Sequence, residues 1–142
     1  MLFYGRGPSP ITMNVHFRPV SPEDLDDVRH FLSQQGWAQR VADPEQFRKM
    51  IEHTSRTVVA FDGDRVVGFV RALCDEVSNG YISMVAVAPD KRRQGLGREL
   101  IRHLIGDDTG ITWILRAGHG SDDFWERVGF KRSDVAMERV RS

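Results

Sequence analysis

The run from Tyr81 to Leu100 limits what this chain can fold into more than any other stretch. Tyr81 to Ala88 is short, apolar and rich in β-branched or small residues, the pattern of a buried strand. Pro89-Asp90 closes it. The segment Lys91-Arg92-Arg93-Gln94-Gly95-Leu96-Gly97 then opens a helix, in which Leu96, Leu100, Ile101, Leu104 and Ile105 recur on one face. Gly106 is placed to stop it. The first amides of a helix have no partner within it, and the macrodipole is positive there. Gly95 and Gly97 have no Cβ, so a ligand can approach their backbone. Lys91, Arg92 and Arg93 add positive charge. Such a turn suits a phosphate or pyrophosphate. By itself it also fits an ordinary strand-to-helix turn with surface arginines.

The neighbouring segments fill out an α/β (α+β) pattern. Val15, Phe17 and Pro19 alternate with polar residues and predict a first strand. Ser21-Pro22-Glu23-Asp24 is a helix start, with Leu25, Val28, Phe31 and Leu32 as its buried stripe and Gly36 as its end. Asp43-Pro44-Glu45-Gln46 repeats the start signal, and Phe47, Met50 and Ile51 give a second apolar face. Thr57–Phe61 and Arg65–Val70 read as strands joined by a tight Asp62-Gly63-Asp64 turn. Cys74 to Gly80 reads as a polar linker, in which Asn79-Gly80 is a turn. Ile111–Leu115 predicts a further strand, Ser121-Asp122-Asp123 a third helix start, Gly129 its end, and Val135–Val140 a last strand. Together these predict one domain: a mixed sheet with helices on both faces.

Composition narrows the partners. The chain has 142 residues, and its twenty Lys and Arg balance its twenty Asp and Glu. That balance gives no support for a nucleic-acid or membrane-surface partner, and no apolar run reaches the roughly 20 residues of a membrane span. Cys74 is the single cysteine, so no internal disulfide can form and a reducing, cytoplasmic setting is expected. It reads as a small buried hydrophobe. His16, His30, His53 and His103 show no metal-ligand spacing, and no metal is expected. Residues 1–12 lack a signal-peptide layout. They are expected to be an N-terminal extension, with Met13 as the functional start and residues 13–142 as the single domain.

Two blocks carry a family resemblance. Arg92-Arg93-Gln94-Gly95-Leu96-Gly97, preceded by Met84-Val85-Ala86-Val87-Ala88-Pro89 and followed by an amphipathic helix, resembles the Q/R-x-x-G-x-G/A signature of the GNAT superfamily of acyl-CoA-dependent N-acyltransferases. Phe124-Trp125-Glu126-Arg127-Val128-Gly129-Phe130 is similar to that family's F-Y-x-x-x-G-F segment, in the same order and at a similar separation. The resemblance spans roughly residues 14–140. It implies a mixed, mostly antiparallel sheet with a splay between two central strands. It also implies acetyl-CoA as acyl donor, its pyrophosphate on the amides of Gln94, Gly95, Leu96, Gly97 and Arg98 beside Arg92 and Arg93. The pantetheine arm would run along Val85, Ala86 and Val87, and Phe124 and Trp125 would lie on the cofactor side. A backbone N–H near Val85 would be the oxyanion donor. Residues 37–54 would help to wall the acceptor site, and the chain would be a monomer or homodimer.

The resemblance stops at the proton-transfer groups. Ser83 stands where many relatives carry a glutamate base, and Trp125 where many carry a tyrosine acid. Three alternatives stay open: a water-relayed base elsewhere, an acceptor that arrives neutral, or lost activity. Asp75, Glu76 and His119 are the candidate substitutes, all on predicted loops beside strand ends. Asp75 and Glu76 also read as a solvated loop, and Asp122 and Asp123 as helix-start acids. Trp37 and Trp113 read as core or pocket wall. The leading functional expectation is an acetyl-CoA-dependent N-acetyltransferase acting on a primary amine. The alternatives are a catalytically silent CoA-binding module and a binder of some other phosphorylated ligand.

Overall fold

The computed structural model describes residues 14–142. The expected extension 1–12 and the start at Met13 lie outside the described residues. Among the described residues five strands are present: β1 (Val15–Arg18), β2 (Arg56–Asp62), β3 (Arg65–Cys74), β4 (Asn79–Val87) and β5 (Thr112–Leu115). The helices are α1 (Leu25–Leu32), α2 (Pro44–Glu52), α3 (Leu96–Ile105) and α4 (Asp122–Arg127). The strands lie side by side in sequence order. Pairings β1–β2, β2–β3 and β3–β4 are antiparallel, and β4–β5 is parallel, with α3 as the crossover.

Both faces of this sheet are covered. Val58, Val59 and Ala60 on β2, and the run from Val66 to Ala72 on β3, are buried at every position. Successive strand residues point to opposite faces, so a continuous buried run requires a layer on each side. On one side, α3 inserts Leu96, Leu100 and Leu104, each almost fully buried. Burying each contributes about 1.5–3 kcal/mol. A Cβ on Gly68 would come within 3.0 Å of Leu100 Cδ1, so the glycine lets α3 lie close on the sheet. The other layer is α1 with Val28, Phe31 and Leu32, backed by Phe47 of α2. Among the described residues no helix is long and apolar enough to cross a membrane.

Two of the three start signals are closed by side-chain bonds, whereas the Ser121 hydroxyl turns back to the Gly118 carbonyl (2.7 Å) and does not cap α4. Asp43 Oδ1 accepts the amides of Glu45 and Gln46 at the head of α2. Before α1, the Asp24 carboxylate accepts the N–H and hydroxyl of Ser21 and a two-point bond from Arg18. Arg18 foremost, with Ser21, holds that carboxyl well down, at about 2. Past α1 the chain makes a wide turn over Ser33–Trp37, in which Gly36 takes φ +91°.

Two expectations need correction. Cys74 to Gly80 is not a linker: β3 runs through Cys74 and β4 begins at Asn79, leaving only residues 75–78 as a hairpin connection. Cys74 is only partly buried. Val135–Val140 forms no strand, and Val135 and Met137 are 84% and 97% exposed. This segment stays beside β5 through the Arg116–Glu138 ion pair (2.8 Å), without a ladder of backbone bonds. β5 is therefore the outer strand of the described sheet.

Candidate functional site

β4 and β5 pair only from Asn79↔Thr112 to Ile82↔Leu115. β5 then ends while β4 continues to Val87. Among the described residues no strand pairs with Ser83–Val87 on that side, so the two strands part into a V. On its other side β4 is bulged. Phe69 pairs with Ala86 and Arg71 with Ser83, which sets Val70 against both Met84 and Val85. Met84 takes φ +59°, a left-handed conformation that costs a non-glycine residue about 1–2 kcal/mol. Backbone strain of this kind persists where the surroundings enforce it.

A cleft of about 920 Å³ fills the V. Ser83 to Val87 line one wall, and the loop from Leu115 to Ser121 with Phe124 and Trp125 lines the other. Gln35, Trp37, Arg40, Arg92, Arg93 and Gly97 also line it. A smaller hollow of about 700 Å³, lined by residues such as Pro19, Arg48 and His103, touches none of the glycine loop.

The glycine loop is anchored from below. Arg65 makes a two-point bond to Asp90, and Lys91 is buried against Asp62 at 2.8 Å. Lys91 is thus turned into the sheet and does not add charge to an anion site, which corrects that part of the sequence reading. Arg92 and Arg93 are exposed at the cleft mouth. Arg92 donates from Nε to the Val87 carbonyl (3.1 Å) and from Nη2 to Gln35 Oε1 (3.2 Å). Gly95 takes φ +87° with open space beyond it. The first helical bond of α3 is Glu99 N–H to Gly95 O, so the amides of Leu96, Gly97 and Arg98 precede the helical ladder. Gly97 is tight for a different reason from the one its sequence suggests. A Cβ there would sit 2.9 Å from Phe124 Cε1, so the ring of α4 takes the space beside the helix start.

A strand freed by an early-ending neighbour, a bulge, and a helix start facing the open end form one arrangement. A family model for the acetyltransferase (GNAT) domain matches residues 19–140. The chain belongs to the GNAT acetyltransferase family. A ycf52-like N-acetyltransferase from Prochlorococcus marinus is 29% identical over 121 residues, covering 80% of this chain and 66% of that protein. A GNAT family protein from Streptococcus pneumoniae superposes with TM-score 0.73 at 24% identity, over 89% of this chain and 98% of that one. AAC(6')-Iy, solved in complex with the bisubstrate analogue CoA-S-monomethyl-acetylneamine, superposes with TM-score 0.70 at 16% identity, over 90% of this chain and 99% of that one.

Against this GNAT frame the expected site residues divide. Val85, Ala86, Val87, Arg92, Arg93, Gly97, His119, Phe124 and Trp125 line the cleft. Gln94, Gly95, Leu96 and Arg98 do not line it but make the turn at its mouth. Asp75 and Glu76 lie outside it, in the β3–β4 connection. Asp75 Oδ1 accepts the amides of Val77, Ser78 and Asn79, and Oδ2 the Ser78 hydroxyl. Those bonds push its pKa far down. Glu76 pairs with Arg56 at 2.6 Å and is likewise lowered. Two carboxylates tied up in this way are poor bases. Ser83 lines the cleft. Trp125 is buried, edge-on to Phe130 at 5.2 Å and to Phe124 at 4.9 Å. Trp113 lies across Gly80, where a Cβ would strike its ring at 2.2 Å, and is outside the cleft.

Sequence reasoning passed over Arg71, which lines the cleft from β3. Its signal was present: a charged residue inside the otherwise apolar Val66–Leu73 run. Arg40, Arg116 and Arg141 were also passed over, and only the fold brings these distant positions to one cleft.

Proposed function

We propose that the protein is an acetyl-CoA-dependent N-acetyltransferase that passes the acetyl group directly to a primary amine. The observation carrying this reading is the parting of β4 from β5, which presents free strand backbone to a cleft ending at a helix start. The diphosphate of acetyl-CoA would rest on the turn from Gln94 to Arg98 beside Arg92 and Arg93. The pantetheine arm would lie along Val85–Val87 like an added strand. The backbone orientation supports this. Arg92 holds the Val87 carbonyl on the cleft side. A strand residue's N–H and C=O share a side, and alternate residues repeat it. The Val85 N–H therefore faces the same cleft, where it would receive the oxyanion of the tetrahedral intermediate.

In the reaction the amine nitrogen bonds to the thioester carbon, the C–S bond breaks, and the amine loses one proton. The thiolate can leave without a dedicated acid, since a thiol pKa near 8.5 makes it a tolerable leaving group. The departing proton has few destinations. Among the described residues no carboxylate lines the cleft, while six arginines do. Surrounding positive charge favours the neutral form of a bound amine. That supports the alternative in which the acceptor reacts after arriving neutral. His119, exposed on the loop between Gly118 and Gly120, lines the cleft and is our candidate to take the proton directly or through water.

The test combines calorimetry of CoA binding with thiol release from acetyl-CoA over an amine panel. We expect saturable CoA binding and amine-dependent release. His119→Ala should lower kcat by about tenfold to a hundredfold, with CoA affinity unchanged. CoA binding without release for any amine would favour the silent CoA-binding module.

A further inference from the structure

Arg71 is the least explained charge in the fold. It is 8% exposed, in the middle of the sheet, and its Nε and Nη1 are buried without a hydrogen-bond partner. Burial first, and then the charge of Arg40, push its pKa down. A buried guanidinium is normally paired, because desolvation strongly disfavours an isolated charge. Among the described residues every other charged side chain lining the cleft has the same sign. Arg40, Arg71, Arg92, Arg93, Arg116 and Arg141 line it, in a chain whose total charge is zero. Arg116 is engaged with Glu138, and Arg92 with Val87 and Gln35. Arg40, Arg71, Arg93 and Arg141 remain; of these Arg71 is the one that is buried, while Arg40 leans over the Trp37 ring at 5.8 Å.

Position decides which ligand this charge serves. Arg71 pairs with Ser83, on the far side of the bulge from the glycine loop. Ser83 and Val87 are four strand residues apart, roughly 13 Å. A diphosphate at the loop is thus out of reach of Arg71, whereas the Val85 N–H is about 7 Å along the strand from Ser83. Tyr81, on the same wall, is close enough to act electrostatically on Arg71 and supplies a phenol.

We propose that the acceptor is a small amine carrying an anionic group, a carboxylate or phosphate, within a few bonds of its nitrogen, and that Arg71 is the residue that binds that anion. This rests on the acetyltransferase reading and selects among its acceptors. A planar fork of N–H donors matches either anion at two points. The anion supplies the partner that Arg71 lacks, and its grip leaves the amine beside the thioester. Polyamines and neutral amines have nothing to offer at this position.

The experiment uses matched pairs: β-alanine against β-alaninamide, and phosphoethanolamine against ethanolamine, with acetyl-CoA saturating. The expected result is kcat/KM about tenfold to a hundredfold higher for the charged member of at least one pair. The pair that shows it tells carboxylate from phosphate. In Arg71→Gln that ratio should fall to near one, with CoA affinity unchanged and thermal stability kept or raised. A wild-type ratio near one, or a ratio that survives Arg71→Gln, overturns the proposal. If CoA binds but no member reacts, inorganic phosphate and acetate are titrated against the CoA-saturated protein and Tm is followed. A rise in wild type that is absent in Arg71→Gln supports the anion site, and no rise in wild type overturns it. Failure to bind CoA at all would instead remove the acetyltransferase reading.

Discussion

Gly95 and Gly97 are glycines for different reasons. Gly95 sits at φ +87° with nothing near its Cβ position, whereas Gly97 faces the Phe124 ring at 2.9 Å. Gly95→Ala should therefore lose about 1–2 kcal/mol through backbone conformation alone. Gly97→Ala should lose about 1–3 kcal/mol through overpacking and should push Phe124 into the cleft, weakening CoA binding. Urea denaturation and calorimetry separate the two, and unchanged CoA affinity in Gly97→Ala would refute the packing account. Trp125 is a similar case, since its indole is buried between two aromatic rings. Trp125→Phe should keep turnover within a few-fold while lowering Tm. Loss of turnover in a folded, CoA-binding Trp125→Phe would give the indole a direct part in the chemistry.

At the scale of elements, the hairpin between β3 and β4 shows how a polar segment becomes rigid. One carboxylate, Asp75, gathers three amides and a hydroxyl, and Glu76 takes φ +67° beside it. The bonds of Asp75 are local and close on themselves, so its removal should act on stability and leave the cleft alone. Asp75→Ala is expected to lower Tm while kcat/KM stays within about twofold, measured by thermal denaturation and thiol release. A large fall in kcat/KM at unchanged Tm would restore Asp75 as a base candidate. The sequence showed polarity here but not the Asx closure that extends the strands to Cys74 and Asn79. The converse holds at the chain end. Val135 and Met137 carry a strand-like alternation, but no ladder forms, and they stay exposed. Alternation reports which side of a strand would be apolar; only a partner edge makes it a strand.

For the molecule as a whole, acid stability should follow Asp24, which ties β1 to α1. Its folded pKa of about 2 lies below the ordinary value of 3.8, chiefly because of Arg18. A depressed folded pKa gives stability that is complete above the unfolded value and is lost as pH falls through the folded one. The loss should therefore fall between about pH 4 and pH 2. Arg18 is half exposed, so solvent screening reduces the effect to on the order of 1 kcal/mol. Asp24→Asn should be less stable than wild type at pH 7 and converge with it near pH 2 in a series of denaturation curves. A constant gap across that range would contradict the assignment.

The sequence by itself determined the parts whose signals are local: the caps, the α3 stripe, the β2–β3 turn, and the strand–loop–helix unit that marked the family. Each of these depends on residues a few positions apart, so spacing alone reports it. The parting of β4 from β5, the bulge at Met84, and the gathering of Arg40, Arg71, Arg116 and Arg141 onto one cleft were decided only in the tertiary structure. These features depend on where one strand ends relative to another and on which distant side chains share a wall. Such relations exist only after the sheet has closed, and no short window of sequence contains them.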